Sequence, residues 1–317
     1  MKSQNAVAVS TSGETSLTHG LDLISQHFMN VLYFDLGRYL IAAGVMSLIL
    51  VLFRRWARNR KIQDRGANRK DYAREIGSSF RTVFVFGITT LATLAGQQSG
   101  IIKLELENAA LATILWQFAL IVIVHDTYFY WMHRAMHTKH LFRATHLHHH
   151  KSRTPTPWAA YSFSPLEAVF EAAFMPLFLL LTSVAGIEYA GFAIFLFLWH
   201  MIIRNVMAHA GHELFPAGWV DSPWTRWIST TTHHDLHHSS GHNFGFYFTW
   251  WDRWMGTEHP RYAAEFRKNA KPINVLASVK SWLPQSLAEK VSILTMALFV
   301  AIMTPNSPIA IILAPVR

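Results

Sequence analysis

Cysteine is absent from this 317-residue chain, and its absence excludes several kinds of site. Without thiols the chain can form no disulfide framework, thiolate zinc site, cysteine-ligated iron–sulfur cluster or catalytic cysteine. Charge is scarce as well: 15% of the residues are charged and 51% are hydrophobic, whereas a soluble domain carries about 25% charge. This composition argues against a disordered chain, which needs low hydrophobicity.

Two further absences narrow the class of protein. The formal net charge is +9, but the basic residues are scattered or adjoin apolar runs and form no recognisable nucleic-acid motif, so we expect no nucleic-acid partner. Residues 1–28 are polar and lack the basic and apolar regions of a signal peptide. We therefore expect a flexible N-terminal segment that frays or lies on the surface as a short helix.

Uncharged runs recur after this segment. A spanning helix needs about 20 apolar residues, and several runs reach that length only with snorkelling Arg and Lys and interfacial Trp and Tyr. The first run extends back to Val31 if Asp35 and Arg38 pair one helical turn apart. The alternative is the buried helical core of a soluble protein, but five runs in one low-charge chain favour a membrane protein. The runs are residues 39–53, 82–102, 108–124, 172–187 and 189–203.

The basic residues indicate an orientation. Residues 54–74 contain nine Lys or Arg and two Asp, and the positive-inside rule places such a loop in the cytoplasm. With five alternating spans, residues 125–158 and 209–260 emerge on that same side. No C-terminal endoplasmic-reticulum retention signal is present, which favours a bacterial inner membrane.

The predicted fold is an all-α integral membrane protein with about five spanning or membrane-embedded helices and a cytoplasmic histidine-rich helical cap. An uncharged run at 291–316 is interrupted at Pro305 and Pro308, and a sixth span, a re-entrant hairpin and a surface helix all remain open for it. The predicted divisions are a flexible segment (1–28), two membrane helices with a basic loop (29–107), a catalytic domain (108–262) and a C-terminal extension (263–317).

Histidine is abundant, and 15 of its 19 occurrences lie within residues 125–150 and 209–242. Their spacings of three and four residues place them on shared helix faces. Each set can therefore direct two or three imidazoles at one point. The sets are His133 and His137; His146, His149 and His150; His209 and His212; and His234, His237 and His238.

Asp126 precedes His133 by seven residues and His137 by eleven, so the three lie on one helical stripe. A carboxylate beside ligand imidazoles can orient them through the second ring nitrogen. We therefore predict a role for Asp126 at the site, with an ordinary ion pair to Arg134 or Arg204 as the alternative.

About ten imidazoles suit two first-row metals better than one. A hydrolytic zinc site with Glu213 as base remains possible in principle, as does a histidine-rich metal-binding or transport protein. Two irons have the stronger claim, because the substrate that a site at the membrane edge can reach is a lipid. A saturated C–H bond of a lipid offers a hydrolase no group to attack. Other histidines are expected to fill the core or to lie outside the ligand set: His19, His27, His125, His148, His200, His233, His242 and His259.

Taken together, the motifs resemble the sterol desaturase / fatty acid hydroxylase superfamily over roughly residues 110–262. The segments are HDTYFYWMHRAMH, HLHHH, HAGHE and THHDLHH, followed by HNFGFYFTWWDRWMGT. One departure is Ser164, where many members have histidine before proline, leucine and glutamate.

The resemblance implies a membrane-bound non-haem di-iron monooxygenase that hydroxylates or desaturates a lipid with O2. The carried-over metal ligands are His133, His137, His146, His149, His150, His209, His234, His237 and His238, with His212 as a possible tenth.

Two electrons per turnover must come from a separate donor, a ferredoxin or a cytochrome with its reductase. The chain has no G-x-G-x-x-G fingerprint for a nucleotide and no HPGG haem-domain signature. Basic residues after the last box could dock an acidic donor, although positive-inside bias explains them equally well. These residues are Arg261, Arg267, Lys268 and Lys271.

Overall fold

The computed structural model describes residues 4–105 and 109–271. Within these ranges the chain is mostly helical, with two short 3₁₀ turns at His149–Lys151 and Pro157–Tyr161 and two strands of two residues. The helices are α1 Gln4–Leu52, α2 Arg54–Asn59, α3 Arg69–Gln98, α4 Leu111–Met136, α5 Phe142–Thr145, α6 Pro165–Val184, α7 Gly191–Ala208, α8 Thr231–Ser240, α9 Trp250–Trp254 and α10 Tyr262–Asn269, and the strands are β1 Leu104–Glu105 and β2 Tyr189–Ala190.

Five helices of the described chain are long and apolar enough to cross a membrane: Ile24–Leu52 within α1, and α3, α4, α6 and α7. Large apolar side chains on them face outward, including Phe84, Leu181 and Val184. Such exposure suits a lipid environment rather than water. The predicted all-α fold with five apolar spans is confirmed, and the chain is a multi-pass membrane protein.

The charged pair that interrupts the first apolar run is satisfied internally. Arg38 Nη2 lies 2.7 Å from Asp35 Oδ1, and Arg38 Nη1 donates to the Leu198 carbonyl at 2.8 Å. Both side chains are buried. A charged group inside a membrane needs such pairing, so the predicted pairing across one helical turn is confirmed.

The backbone of the N-terminal segment is helical. α1 begins at Gln4 and continues without a break into the first span, so residues 4–28 are the first part of one long helix, and the expected flexibility of this segment stays a prediction. No proline occurs before Pro155, and isolated glycines lower helix stability without ending a helix. The predicted C-terminal run 291–316 lies outside the described residues.

The polypeptide brings the basic loop and both histidine-rich windows to one end of the helical bundle. Gln63 Nε2 donates to Asp235 Oδ1 at 2.9 Å, and Glu213 N donates to the Arg60 carbonyl at 2.8 Å. At the opposite end β1 pairs in parallel with β2. α1, α4 and α7 thus end where α3 and α6 begin.

Aromatic packing holds α4, α6 and α7 together beneath this end. Phe129, Phe174 and Phe197 belong to one buried cluster, together with Phe246 and Tyr247 from the loop before α9. Removing one such side chain from water stabilises a fold by roughly 1.5–3 kcal/mol. The cluster fixes the ends of α4 and α7, from which the first histidines of the site project.

Candidate metal centre

Two groups of imidazoles meet at the end of the bundle. The first histidine group contains His133, His137, His146 and His237, whose nitrogens lie within 4.8 Å of one another. His150 joins it, because its Nε2 lies 3.1 Å from His137 Nε2 and 3.0 Å from His237 Nε2.

The second histidine group contains His149, His209, His234 and His238. His209 Nε2 is its centre, at 3.2 Å from His149 Nε2, 3.0 Å from His234 Nε2 and 3.3 Å from His238 Nε2. The groups adjoin, since the His146 and His149 ring centroids are 5.1 Å apart. All four side chains of the second group are buried.

Short helices distribute neighbouring histidines between the two groups. α8 begins at its N-cap Thr230, whose side chain accepts from His233 N, and ends at Gly241 in the left-handed conformation. On α8, His234 and His238 are four residues apart and share a face, whereas His237 points to the other group. The 3₁₀ turn likewise sends His149 and His150 to different groups.

In each group, some of the outer ring nitrogens are held by oxygen acceptors. His133 Nδ1 donates to the Phe244 carbonyl at 3.0 Å, His237 Nδ1 to the His242 carbonyl at 2.8 Å and His209 Nδ1 to the Asn205 carbonyl at 2.8 Å. A carbonyl oxygen can only accept, so each Nδ1 carries the hydrogen. The corresponding Nε2 atoms are unprotonated and direct their lone pairs toward one another. A histidine that binds a metal through Nε2 has this tautomer.

These facing lone pairs provide a test of whether a metal fits. Two acceptor nitrogens 3 Å apart repel each other unless a cation lies between them. Metal–imidazole bonds of about 2.1 Å place neighbouring ligand nitrogens roughly 3.0–3.4 Å apart, and the Nε2 separations of 2.8–3.3 Å match that spacing. The donor set therefore fits a bound divalent metal in each group.

Burial keeps the imidazoles neutral. Loss of solvation, together with the neighbouring imidazoles of His133 and His150, lowers the pKa of His137 to about 2. Burial also lowers the pKa of His150 to about 4 and that of His209 to about 4. A metal ligand must be unprotonated, so these side chains are prepared for binding at neutral pH.

His212 lies outside both groups, which differs from the prediction of a shared face with His209. α7 ends at Ala208, and Gly211 takes a left-handed conformation with φ 67°. The helical spacing therefore does not continue to His212, whose Nδ1 donates to the Ala210 carbonyl at 2.8 Å. The other nine predicted ligands are brought together.

Asp126 also lies in a different environment from the predicted one. Its Oδ1 accepts from Tyr247 N at 2.6 Å and Phe248 N at 3.2 Å, and its Oδ2 accepts from Trp250 Nε1 at 2.7 Å. No imidazole is among the hydrogen-bond partners of this carboxylate in the described part of the chain. Asp126 therefore anchors the loop before α9 to α4 instead of orienting a ligand.

The Asp126→Asn variant is expected to lose stability rather than bound metal. Its amide nitrogen cannot accept from the groups that the carboxylate accepts from, and an unsatisfied buried donor costs about 1–3 kcal/mol. Thermal unfolding in detergent should show a lower midpoint, while the metal content per folded chain stays at the wild-type value. Asp221→Asn, at an exposed ion pair with Arg267, is the matched control. An unchanged midpoint with a lower metal content would restore the role predicted from the sequence.

Glu167 has the role that the sequence predicted for Asp126, a carboxylate that orients an imidazole. His146 Nδ1 donates to Glu167 Oε1 at 2.6 Å, and both side chains are buried. Glu167 is also the third residue of a capping box with Ser164 at the start of α6. The sequence signal was the spacing Ser164-Pro165-Leu166-Glu167, which is typical of a helix N-terminus and does not reveal that the carboxylate also reaches a histidine.

The loop that carries Asn243, Phe244 and Gly245 orients His133. Asp252 accepts from Phe244 N and Gly245 N at 2.8 Å each, and this fixes the carbonyl to which His133 donates. A Cβ at residue 245 would collide with the Phe248 carbonyl and the Asp252 carboxylate. Only glycine fits there, so Gly245 allows this loop to approach Asp252 closely.

The remaining histidines of the two windows lie outside the two groups. His148 Nε2 hydrogen-bonds with Ser78 Oγ at 2.7 Å, His233 packs against Tyr262, and His242 contributes only its carbonyl, to His237. His125 is enclosed by aromatic rings, with Phe174 at 4.7 Å between centroids. These side chains support the site without belonging to the two groups.

Comparisons with known proteins agree with the histidine pattern. Residues 118–257 match the fatty acid hydroxylase family. A Delta(7)-sterol 5(6)-desaturase of Gibberella zeae is 27% identical over 58% of this chain and 54% of its own length. A methylsterol monooxygenase of Aspergillus fumigatus is 31% identical over 50% of this chain and 53% of its own length. A lathosterol oxidase of Rattus norvegicus is 28% identical over 43% of this chain and 42% of its own length.

The predicted resemblance to the sterol desaturase / fatty acid hydroxylase superfamily is confirmed for residues 118–257. The chain spans about half the length of these curated relatives. They are fungal and mammalian proteins, so they give no support to the expected bacterial inner membrane. No solved structure matches the chain.

Proposed function

We propose that the chain is a membrane-bound di-iron oxygenase that hydroxylates or desaturates a C–H bond of a lipid. The observation that carries the proposal is the pair of adjoining histidine groups at one end of the apolar helical bundle. In each group the Nε2 lone pairs point toward a common centre. The names of the relatives, all enzymes of sterol oxidation, support a lipid as substrate. Hydroxylation converts a C–H bond, O2, two electrons and two protons into an alcohol and water.

A cavity of about 280 Å³ between the membrane helices supports a lipid substrate. Its wall is mainly apolar and includes Phe129, Phe163 and Phe246. Phe129 packs on His133 with ring centroids 5.0 Å apart, and Phe163 packs on His149 at 5.4 Å. The cavity therefore reaches the aromatic neighbours of both histidine groups, and a lipid chain inside it would present its carbons to them.

Iron is the metal that this proposal requires, because bound ferrous ions supply the O2 activation and the hydrogen removal that no amino-acid side chain can perform. The first histidine group and the second would each hold one ion. The residues around them orient the rings, exclude water and keep the imidazoles unprotonated.

A zinc-dependent lipid hydrolase is less well supported by the geometry. Glu213, the candidate base, accepts from Phe215 N through Oε1 and from Thr232 N through Oε2, both at 2.8 Å. Its two oxygens are thus engaged by the backbone and it is fully buried. Metal transport is also less well supported, since nine mostly buried imidazoles, five of them anchored through Nδ1, suit retention of a metal better than its release.

Metal analysis combined with product analysis tests the proposal. The purified protein, reconstituted with ferrous iron and a chemical reductant, is expected to hold about two irons per chain and to convert a lipid in the presence of O2. Incorporation of label from ¹⁸O2 into an alcohol identifies hydroxylation, and an alkene without label identifies desaturation. Zinc alone at full occupancy, or no O2 consumption with any lipid, would contradict the proposal.

A separate electron donor completes the proposed reaction. Of the basic residues considered for its docking, Arg267 pairs with Asp221 at 2.5 Å, and Arg261 and Lys268 both approach Glu265, at 3.9 and 3.7 Å. These acidic neighbours reduce the positive charge available to a partner. A ferredoxin or a cytochrome with its reductase remains the proposed class of donor, bound at the end of the bundle that carries the histidines.

The proposed orientation places that end in the cytoplasm, because the basic loop at residues 54–74 lies beside both histidine windows. Reporters fused after residue 74 and after residue 260 are expected to report the same, cytoplasmic compartment. A third fusion after residue 100 should report the opposite side, since α3 crosses the membrane before it. Opposite results for the first two fusions would contradict the five-span topology.

A further inference from the structure

A basic surface without acidic neighbours surrounds the short helix α5. The chain has no Asp or Glu between Asp126 and Glu167, and Glu167 is itself buried against His146. Three exposed cations close to α5 form what we call the α5 basic surface: Lys139, Arg143 and Lys151. None of the three forms an ion pair within residues 4–105 and 109–271. Their positive charge is therefore available to a partner.

Consecutive turns of backbone hold these cations on one compact segment. Phe142 N donates to the Thr138 carbonyl at 3.0 Å, so Lys139 and Arg143 are one turn apart and share a helical face. The 3₁₀ turn at His149–Lys151 follows α5 after three residues and carries the third cation. The charge is thus concentrated on one short stretch of chain.

The same segment covers the first histidine group. The Phe142 ring packs on His137 with the ring centroids 5.2 Å apart and on His150 at 5.5 Å. All three of these side chains are partly exposed, whereas the four side chains of the second group are buried. Because Phe142 directly precedes Arg143, a protein bound at the α5 basic surface would come within a single side chain of the first histidine group.

Two exposed leucines give this surface an apolar part. Leu141 is 40% exposed and Leu147 is 38% exposed, and they flank α5 outside the five membrane helices. Protein interfaces combine an apolar centre with a polar or charged rim, and complementary charge speeds association and orients the partner. The composition therefore fits a protein partner whose own contact surface is acidic.

The location favours an electron donor over lipid headgroups. The surface lies beyond the end of the membrane helix α4 at Met136 and beside the more exposed histidine group, where electrons must arrive in the proposed reaction. Headgroups would instead meet cations around the whole bundle. The basic residues near α10 fit the donor less well, because acidic side chains already lie beside them.

We propose that the α5 basic surface is the docking site of an acidic one-electron carrier protein. The inference rests on the proposed function and names the surface that its electron donor binds. In each encounter the reduced carrier loses one electron and the metal centre gains it, and no covalent bond forms or breaks. Two encounters supply the two electrons of one turnover.

Carrier binding, measured apart from turnover, tests the inference. The purified full chain, reconstituted with iron in phosphatidylcholine nanodiscs, is titrated with two acidic probes, a soluble plant-type ferredoxin and the soluble haem domain of cytochrome b5. At least one probe should bind at an ionic strength of about 0.02 M and bind more weakly at about 0.2 M, because salt screens exposed charges. The triple variant Lys139→Gln, Arg143→Gln and Lys151→Gln should weaken that binding by about tenfold, since each exposed charge pair contributes modestly.

The matched control removes the same charge from cations that have acidic neighbours. Its substitutions are Arg261→Gln, Arg267→Gln and Lys268→Gln, beside Glu265 and Asp221. This variant should bind the probe nearly as well as the wild type. Equal weakening in the two triple variants would assign binding to net charge alone and would overturn the inference. Absence of salt-sensitive binding of both probes to the wild type would overturn it as well.

Turnover with two kinds of reductant adds a second measurement. In the α5 triple variant, the ratio of probe-supported to dithionite-supported turnover should fall by about tenfold relative to wild type, and its iron content checks that the metal centre is intact. Unchanged probe binding, with loss of the thermal stabilisation that phosphatidylglycerol in the nanodisc gives the wild type, would assign the surface to lipid headgroups and overturn the inference.

The failure of the inference and the failure of the proposed function give different results. A wild type that oxidises a lipid with dithionite, but whose probe binding is unaltered in the α5 triple variant, overturns only the inference. A wild type that holds no iron and oxidises no lipid with either reductant overturns the proposed function, whatever its probe binding.

Discussion

Replacing His237 by alanine is expected to abolish lipid oxidation while leaving the protein inserted in the membrane. His237 Nε2 lies 3.2 Å from His137 Nε2 and 3.0 Å from His150 Nε2, so its loss removes a nitrogen from the middle of the first histidine group. The fall in turnover should exceed the 100-fold that is the upper range for an outer-sphere partner. Iron content should fall from about two to about one per chain, measured by elemental analysis of the purified protein.

His149→Ala tests the second histidine group in the same way, and the two variants together distinguish two metals from one. If each group holds its own ion, either substitution removes about one iron and all activity. His212→Ala is the control, since this side chain lies outside both groups and should leave iron content and turnover near the wild-type values. Full activity in His237→Ala or His149→Ala would contradict the ligand assignment, and loss of activity in His212→Ala would show a role that the geometry does not provide.

Glu167 is expected to give the second-largest effect, because its carboxylate fixes the ring of His146. Removal of such a partner lowers metal affinity or activity by about 10–100-fold. Glu167→Gln keeps an acceptor oxygen but loses the negative charge, so we expect a loss near tenfold. Glu167→Ala removes both and should approach 100-fold. Titration of the metal-free protein with ferrous iron gives the affinity directly, and excess iron should restore part of the turnover.

Ser164→Ala separates this effect from the stability of α6. Ser164 Oγ accepts from Glu167 N as the N-cap and donates to the Thr145 carbonyl, so its loss should cost about 0.5–2 kcal/mol of stability. In the described part of the chain Ser164 makes no hydrogen bond with His146, and iron affinity should therefore stay close to wild type. Equal iron affinities in Glu167→Ala and Ser164→Ala would mean that Glu167 acts only as a helix cap.

The two predictions that differ from the structure do so for different physical reasons. Helical spacing placed Asp126 on the stripe of His133, but spacing defines only which side chains lie on one face of α4. The partner of the Asp126 carboxylate is the backbone of residues 247–248, more than 100 positions away, and that contact exists only in the folded chain. His212 lies outside both groups for a local reason, because α7 ends at Ala208 and Gly211 takes a left-handed conformation before it.

The amino-acid sequence by itself determined the five apolar helices, their buried Asp35–Arg38 pair and the set of imidazoles that meet at one end. These features depend on hydropathy and on residue spacing within single helices, which are local properties of a chain. Only the tertiary structure decided which histidines belong to each group, as for the consecutive His149 and His150. It also decided that Glu167 rather than Asp126 reaches an imidazole, and that the short helix α5 covers the first histidine group. These assignments depend on how separate helices pack, and no local spacing encodes that packing.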